Sequence, residues 1–84
     1  MKTKELKREP VLIANRGEIA IRIARTAKAM GFPTVAVFSE ADRFSEHARY
    51  CDKAYFIGAA APKDSYLNVD RVLDAAKKSG AKYI

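Results

Sequence analysis

Apolar residues follow two rhythms along this chain. Short unbroken runs, Val11-Leu12-Ile13-Ala14, Thr34-Val35-Ala36-Val37-Phe38 and Ala54-Tyr55-Phe56-Ile57, alternate with stretches where apolar residues recur every three or four positions. Unbroken runs of four or five residues bounded by turn residues predict strands, the first two of them buried on both faces. A three-to-four spacing predicts amphipathic helices. The spacing predicts strand one over 11–14, a helix over 17–30, strand two over 34–38, a short helical stretch over 46–51, strand three over 53–57 and a further helix ending at Ser79-Gly80. Residues 81–84 read as the opening of a fourth strand. Strands alternating with helices predict an α/β chain: a Rossmann-like open parallel sheet of about four strands with flanking helices.

The punctuation agrees with this order. Asn15 is placed to cap the first helix, with Glu18 three residues later as in a capping box. Gly17 permits the tight strand-to-helix turn. Ile19, Ala20, Ile23, Ala24, Ala27 and Met30 form the expected buried stripe, and Arg22, Arg25 and Lys28 lie off it. Gly31 suits a left-handed helix end, and Pro33 blocks continuation. Residues 39–45 and 59–64 read as polar loops. Ser65 or Asn68 is expected to cap the last helix, whose apolar face would be Leu67, Val69, Val72, Leu73 and Ala76. No internal repeat is present.

Composition narrows the picture. Eighty-four residues allow one small domain with a thin stability margin. The net charge of +6 comes from bases interspersed with acids, which reads as a solvated surface rather than a nucleic-acid face. Residues 1–9 carry four bases against two acids and read as a flexible basic leader ahead of a domain over 10–84. The single cysteine, Cys51, excludes an internal disulfide and a two-cysteine metal site. His47, four residues earlier, could share a helix face with it, but the surroundings read as structural. No apolar run is long enough to span a membrane, and no signal peptide is visible. A cytoplasmic protein without membrane or nucleic-acid partners is expected.

The turn Asn15-Arg16-Gly17-Glu18 lies where open α/β sheets bind ligands. The G-x-G-x-x-G fingerprint is absent, however, and Glu18 puts negative charge where a phosphate would sit. Glu40 follows strand two where a dinucleotide-binding acid would fall. There is no Walker motif. Glu40, Asp42 and Glu46 read as a solvated acidic loop rather than a metal cluster, and the four tyrosines as core or interface residues. No catalytic, cofactor-binding or metal-ligating residue is assigned. Arg22 and Arg25, three apart on the polar side of the first helix, read as part of a solvated face.

LIANRGEIAIRIARTAKAMG followed by TVAVFSEADR resembles the start of the biotin carboxylase component of biotin-dependent carboxylases. The likeness continues through His47, Asp52-Lys53-Ala54-Tyr55, Ile57-Gly58, Ala61-Pro62 and Ser65-Tyr66-Leu67-Asn68, covering roughly 10–84. It implies the pre-ATP-grasp domain of a ligase, incomplete at its C-terminal end. The parent enzyme would carboxylate biotin on a carrier protein with ATP, magnesium and bicarbonate, and pass the carboxyl group to a carboxyltransferase. The residues that bind those groups belong to the ATP-grasp domain and beyond, so none is carried over, and the 84-residue chain alone is expected to be inactive. In bacterial members the first helix contributes to a homodimer, which makes Arg22 and Arg25 interface candidates. Ala29 stands where an acid would complete one ion pair. The stretch 25–31 leans towards acyl-CoA rather than pyruvate carboxylases. Two other readings stay open: a free-standing nucleotide-binding module, and a non-catalytic interaction fragment.

Overall fold

The computed structural model describes residues 8–84. Most of the expected leader lies outside the described residues. Of its last two residues, Arg8 donates Nε to Met30 O at 3.0 Å. The element order is β1 (Val11–Ile13), α1 (Gly17–Ala29), β2 (Thr34–Ser39), α2 (Glu46–Tyr50), β3 (Lys53–Gly58) and α3 (Val69–Ser79). Single 3-10 turns, Glu40–Asp42 and Pro62–Asp64, sit inside the two predicted loops. The three strands are parallel in the order β1-β2-β3. The expected fourth strand is reduced to one parallel bridge between Val11 and Tyr83. Leu12 N–H donates to Tyr83 O at 2.8 Å, and Lys82 N–H to Pro10 O at 2.9 Å. That segment therefore flanks β1 on the side away from β2, giving the doubly wound spatial order.

Helices cover both faces because β1 and β2 are apolar on both sides. Leu12, Val35, Val37 and Ile57 pack against Val72, Ala75 and Ala76 of α3. Ile13 and Ala36 pack against Ala20 and Ala24 of α1 and against Cys51. β2 is central and nearly all buried, as expected, whereas β3 is an edge that buries only Ile57 and Gly58. At the amino end, Asp52 Oδ2 accepts from Thr34 N–H at 2.8 Å and from Thr34 Oγ1 at 3.0 Å, while Asp52 N–H donates back to Thr34 Oγ1 at 3.1 Å. This reciprocal pair pins β2 to the start of β3.

Three local expectations are corrected. The N-cap of α1 is Arg16, not Asn15, and no side chain caps it. The helix begins one residue later than the Asn15 reading requires, and Arg16 turns away to another loop. Its buried stripe is Ala20, Ile21, Ala24 and Ala27, while Ile19, Ile23 and Met30 are 57%, 40% and 55% exposed. The alanines let the helix lie close to the sheet, which rotates the larger aliphatic residues outward. In α3 the same happens. Val72, Ala75, Ala76 and Ser79 are buried, and Leu67, Val69 and Leu73 are exposed. Its cap resolves to Asn68, whose side chain accepts from Arg71 N–H at 3.1 Å. Gly31 has the left-handed conformation expected after α1, with Phe32 N–H closing on Ala27 O at 2.9 Å.

Candidate functional site

All three strands are parallel, so the loops that follow them share one edge of the sheet. Each contributes one polar side chain to a common cluster. Arg16 follows β1, Asp42 follows β2, and Tyr66 follows β3. Arg16 donates Nε to Asp42 Oδ2 at 2.6 Å and Nη2 to Asp42 Oδ1 at 2.5 Å, a two-point guanidinium–carboxylate pair. Tyr66 donates its hydroxyl to Asp42 Oδ2 at 2.7 Å and accepts Ser39 N–H at 3.2 Å. The Arg16 guanidinium lies 5.8 Å from the Tyr66 ring centre.

Asp42 is therefore buried and fully engaged, not a member of a solvated acidic loop. Its neighbour Glu40 does remain at the surface, paired with Arg43 at 2.7 Å. The Arg16 pair outweighs burial and holds the Asp42 carboxyl down to about 2, with Tyr66 adding to the effect. The same pair raises the Arg16 guanidinium. Burial, and then the Asp42 carboxylate, push the Tyr66 phenol up, so it stays protonated and able to donate.

Behind the cluster, His47 is buried with both ring nitrogens engaged. Nε2 donates to Val37 O and Nδ1 accepts from Ser45 Oγ, each at 3.0 Å. Neither reaches Cys51, whose thiol is pushed up by burial. Among the described residues, no three acid, histidine or cysteine side chains come close enough to hold a metal ion. The first turn of α1 carries Glu18 and its arginine is already paired, so the cluster does not suit a nucleotide phosphate. No described helix is long and apolar enough to cross a membrane.

Arg22 and Arg25 lie elsewhere. Both are exposed on α1, beside the outward-turned aliphatic residues. With Val11, Ile19, Ile23 and Met30 they line a shallow apolar groove. Asp42 and Tyr66 were missed as site residues, although both fall inside the motifs quoted above. The available signal was topological: in a parallel sheet, one polar residue soon after each strand end converges on the same edge.

The family model for the biotin carboxylase N-terminal domain matches residues 7–84. The mitochondrial methylcrotonoyl-CoA carboxylase alpha chain from Dictyostelium discoideum is 55% identical over 84 residues, spanning 96% of this chain and 12% of that protein. A pyruvate carboxylase component from Methanothermobacter thermautotrophicus is 53% identical over 74 residues, 88% of this chain and 15% of that protein. The crystal structure of Kluyveromyces lactis urea carboxylase superposes with a TM-score of 0.87 at 45% identity, covering 90% of this chain and 7% of that one. The chain thus spans a small fraction of the relatives it matches.

Proposed function

Because the chain belongs to the biotin carboxylase N-terminal domain family, we propose that it serves as a structural domain of a biotin carboxylase subunit within a biotin-dependent acyl-CoA or pyruvate carboxylase. In that enzyme ATP and bicarbonate carboxylate biotin held on a carrier, and magnesium neutralises the phosphates. The ATP-grasp and C-terminal regions would hold those groups and carry out the chemistry. This domain would supply a rigid α/β wall for them to pack against. The family match over 7–84 carries the reading. The identity to carboxylase components of two kinds, with only 12% and 15% of their lengths spanned, supports it.

The groove on α1 would be one contact of that wall. Ile19, Ile23 and Met30 offer apolar area, and Arg22 and Arg25 flank it as the interface pair of a homodimer. Co-expression with the ATP-grasp and C-terminal regions of a biotin carboxylase as a second polypeptide tests the reading. The two pieces are expected to co-purify and to hydrolyse ATP in a biotin-dependent manner, which neither does alone. Two folded pieces that fail to associate would refute it, as would shifts at Asn15 to Glu18 on titrating the chain alone with ATP or NAD.

A further inference from the structure

β3 ends one side of the sheet and leaves a row of backbone donors and acceptors open. It pairs with β2 on its inner side, and among the described residues no other backbone segment bonds to it. Of the features that commonly block such an edge, its lysine is the first residue, Lys53, and its register shift falls after Phe56. Ala54 to Phe56 are left open. On the face that α1 covers, Ala54 and Phe56 are exposed. The Phe56 ring meets Phe38 at 5.8 Å between centres, and the Arg43 guanidinium lies 5.1 Å from its centre. Aromatic rings and arginine are what contact surfaces are enriched in. On the other face, a groove between β3 and α3 is lined by Ile57, Asp70, Arg71, Asp74 and Lys78. α3 starts beside Gly58, where Arg71 lies, and the chain after it bonds to Pro10, so the helix runs back along the strands. Its acids, Asp70 and Asp74, come first and its bases, Lys77 and Lys78, come last. Asp74 pairs with Lys78 at 3.0 Å, whereas Lys53 and Asp70 form no ion pair among the described residues.

We propose that β3 is a contact between two copies of this chain, paired antiparallel about a twofold axis through Tyr55, so that two three-stranded sheets become one of six strands. The choice of a second copy rests on self-complementarity. Directly opposite residues share a face, so Phe56 falls against Ala54 of the second copy, a large exposed side chain against a small one, on both sides of the axis. Lys53 falls against Ile57 of the second copy, at the end of the groove where Asp70 sits. The two opposite charges that have no partner within one chain therefore meet across the contact. The reversed α3 of the second copy also sets its acidic end beside the basic end of the first. This contact is separate from the α1 groove, which is lined by Val11 at the opposite side of the sheet. It does not depend on the carboxylase reading.

Sedimentation velocity tests it on the 84-residue chain carrying Ile23→Asp, which takes the α1 groove out of play, from roughly 10 μM to about 1 mM. A monomer–dimer equilibrium is expected. Ala54→Lys, Lys53→Glu and Asp70→Lys, added singly, should each weaken it by roughly tenfold or more. All three positions are exposed, so melting temperatures should stay within a few degrees. Mixing the Lys53→Glu chain with the Asp70→Lys chain restores both opposite-charge pairs and should recover the lost association. The register is read by oxidation. Chains with Ala54→Cys and chains with Phe56→Cys should cross-link when mixed, and far less when either is oxidised alone, because 54 lies opposite 56 and not opposite itself. A chain that stays monomeric across the whole range would overturn the proposal. So would association that Ala54→Lys leaves unchanged, or a charge-swapped mixture that recovers nothing. Cross-linking as strong in each cysteine variant alone as in the mixture would equally rule out the twofold pairing.

Discussion

Replacing Asp42 with Asn removes the charge at the meeting point of three loops while keeping its shape. In the fold that carboxyl titrates at about 2, chiefly through Arg16, against 3.8 for an unperturbed aspartate. A gap of nearly two units corresponds to about 2.5 kcal/mol. The Arg16 side chain is 59% exposed, so solvent screening leaves roughly half of that, about 1 kcal/mol. That figure already includes the hydrogen bond from the Tyr66 hydroxyl to the charged carboxylate. Asp42→Asn should therefore cost about 1 kcal/mol at pH 7. Because the folded pKa lies below the unfolded one, this stabilisation is fully present above about pH 5. It is lost as pH falls from there through about 2. Urea unfolding followed by circular dichroism at pH 7, 5 and 3.5 measures it. For a chain this short, the midpoint gap between wild type and variant should be roughly 1 M at pH 7 and visibly smaller at pH 3.5. A gap of the same size at all three pH values, or none at pH 7, would refute the assignment.

Gly58→Ala should cost about 3 kcal/mol or prevent folding, since φ is +132° and a β-carbon would sit 2.4 Å from Asp64 O. A change below about 1 kcal/mol in thermal melts would show that the loop does not lie against the strand. Asn68→Ala should cost about 1 kcal/mol through loss of the α3 cap, read from the same melts. Leu12→Ala, at the centre of the core, should cost about 3 kcal/mol. Ile23→Asp should reduce self-association in sedimentation without lowering the melting temperature by more than a few degrees, because Ile23 is exposed beside Arg22. Unchanged association would move the contact off α1.

The order of elements was legible because apolar periodicity separates buried strands from amphipathic helices, and Gly31, Gly80 and Asn68 mark helix ends. The rotation of α1 was not legible. Ile19, Ile21 and Ile23 are equally apolar, and only the close approach allowed by Ala20, Ala24 and Ala27 decides that Ile21 turns inward. The cap failed for a related reason. Asn15 satisfies the local pattern, but a bond from Arg16 to a loop 26 residues away sets where the helix starts. Asp42 read as solvated because local context shows only a polar loop, whereas its partners arrive from β1 and β3. Long-range polar convergence leaves no local pattern. It follows only from placing parallel strands side by side.

The central claim is that this chain is a working part of a biotin carboxylase. Substituting residues 7–84 for the corresponding segment of a related carboxylase, and measuring ATP-dependent carboxylation of carrier-bound biotin by the chimera, addresses it most directly. The account predicts a folded chimera with carboxylation close to that of the unsubstituted enzyme. A chimera that folds and assembles but transfers no carboxyl group to biotin would contradict it.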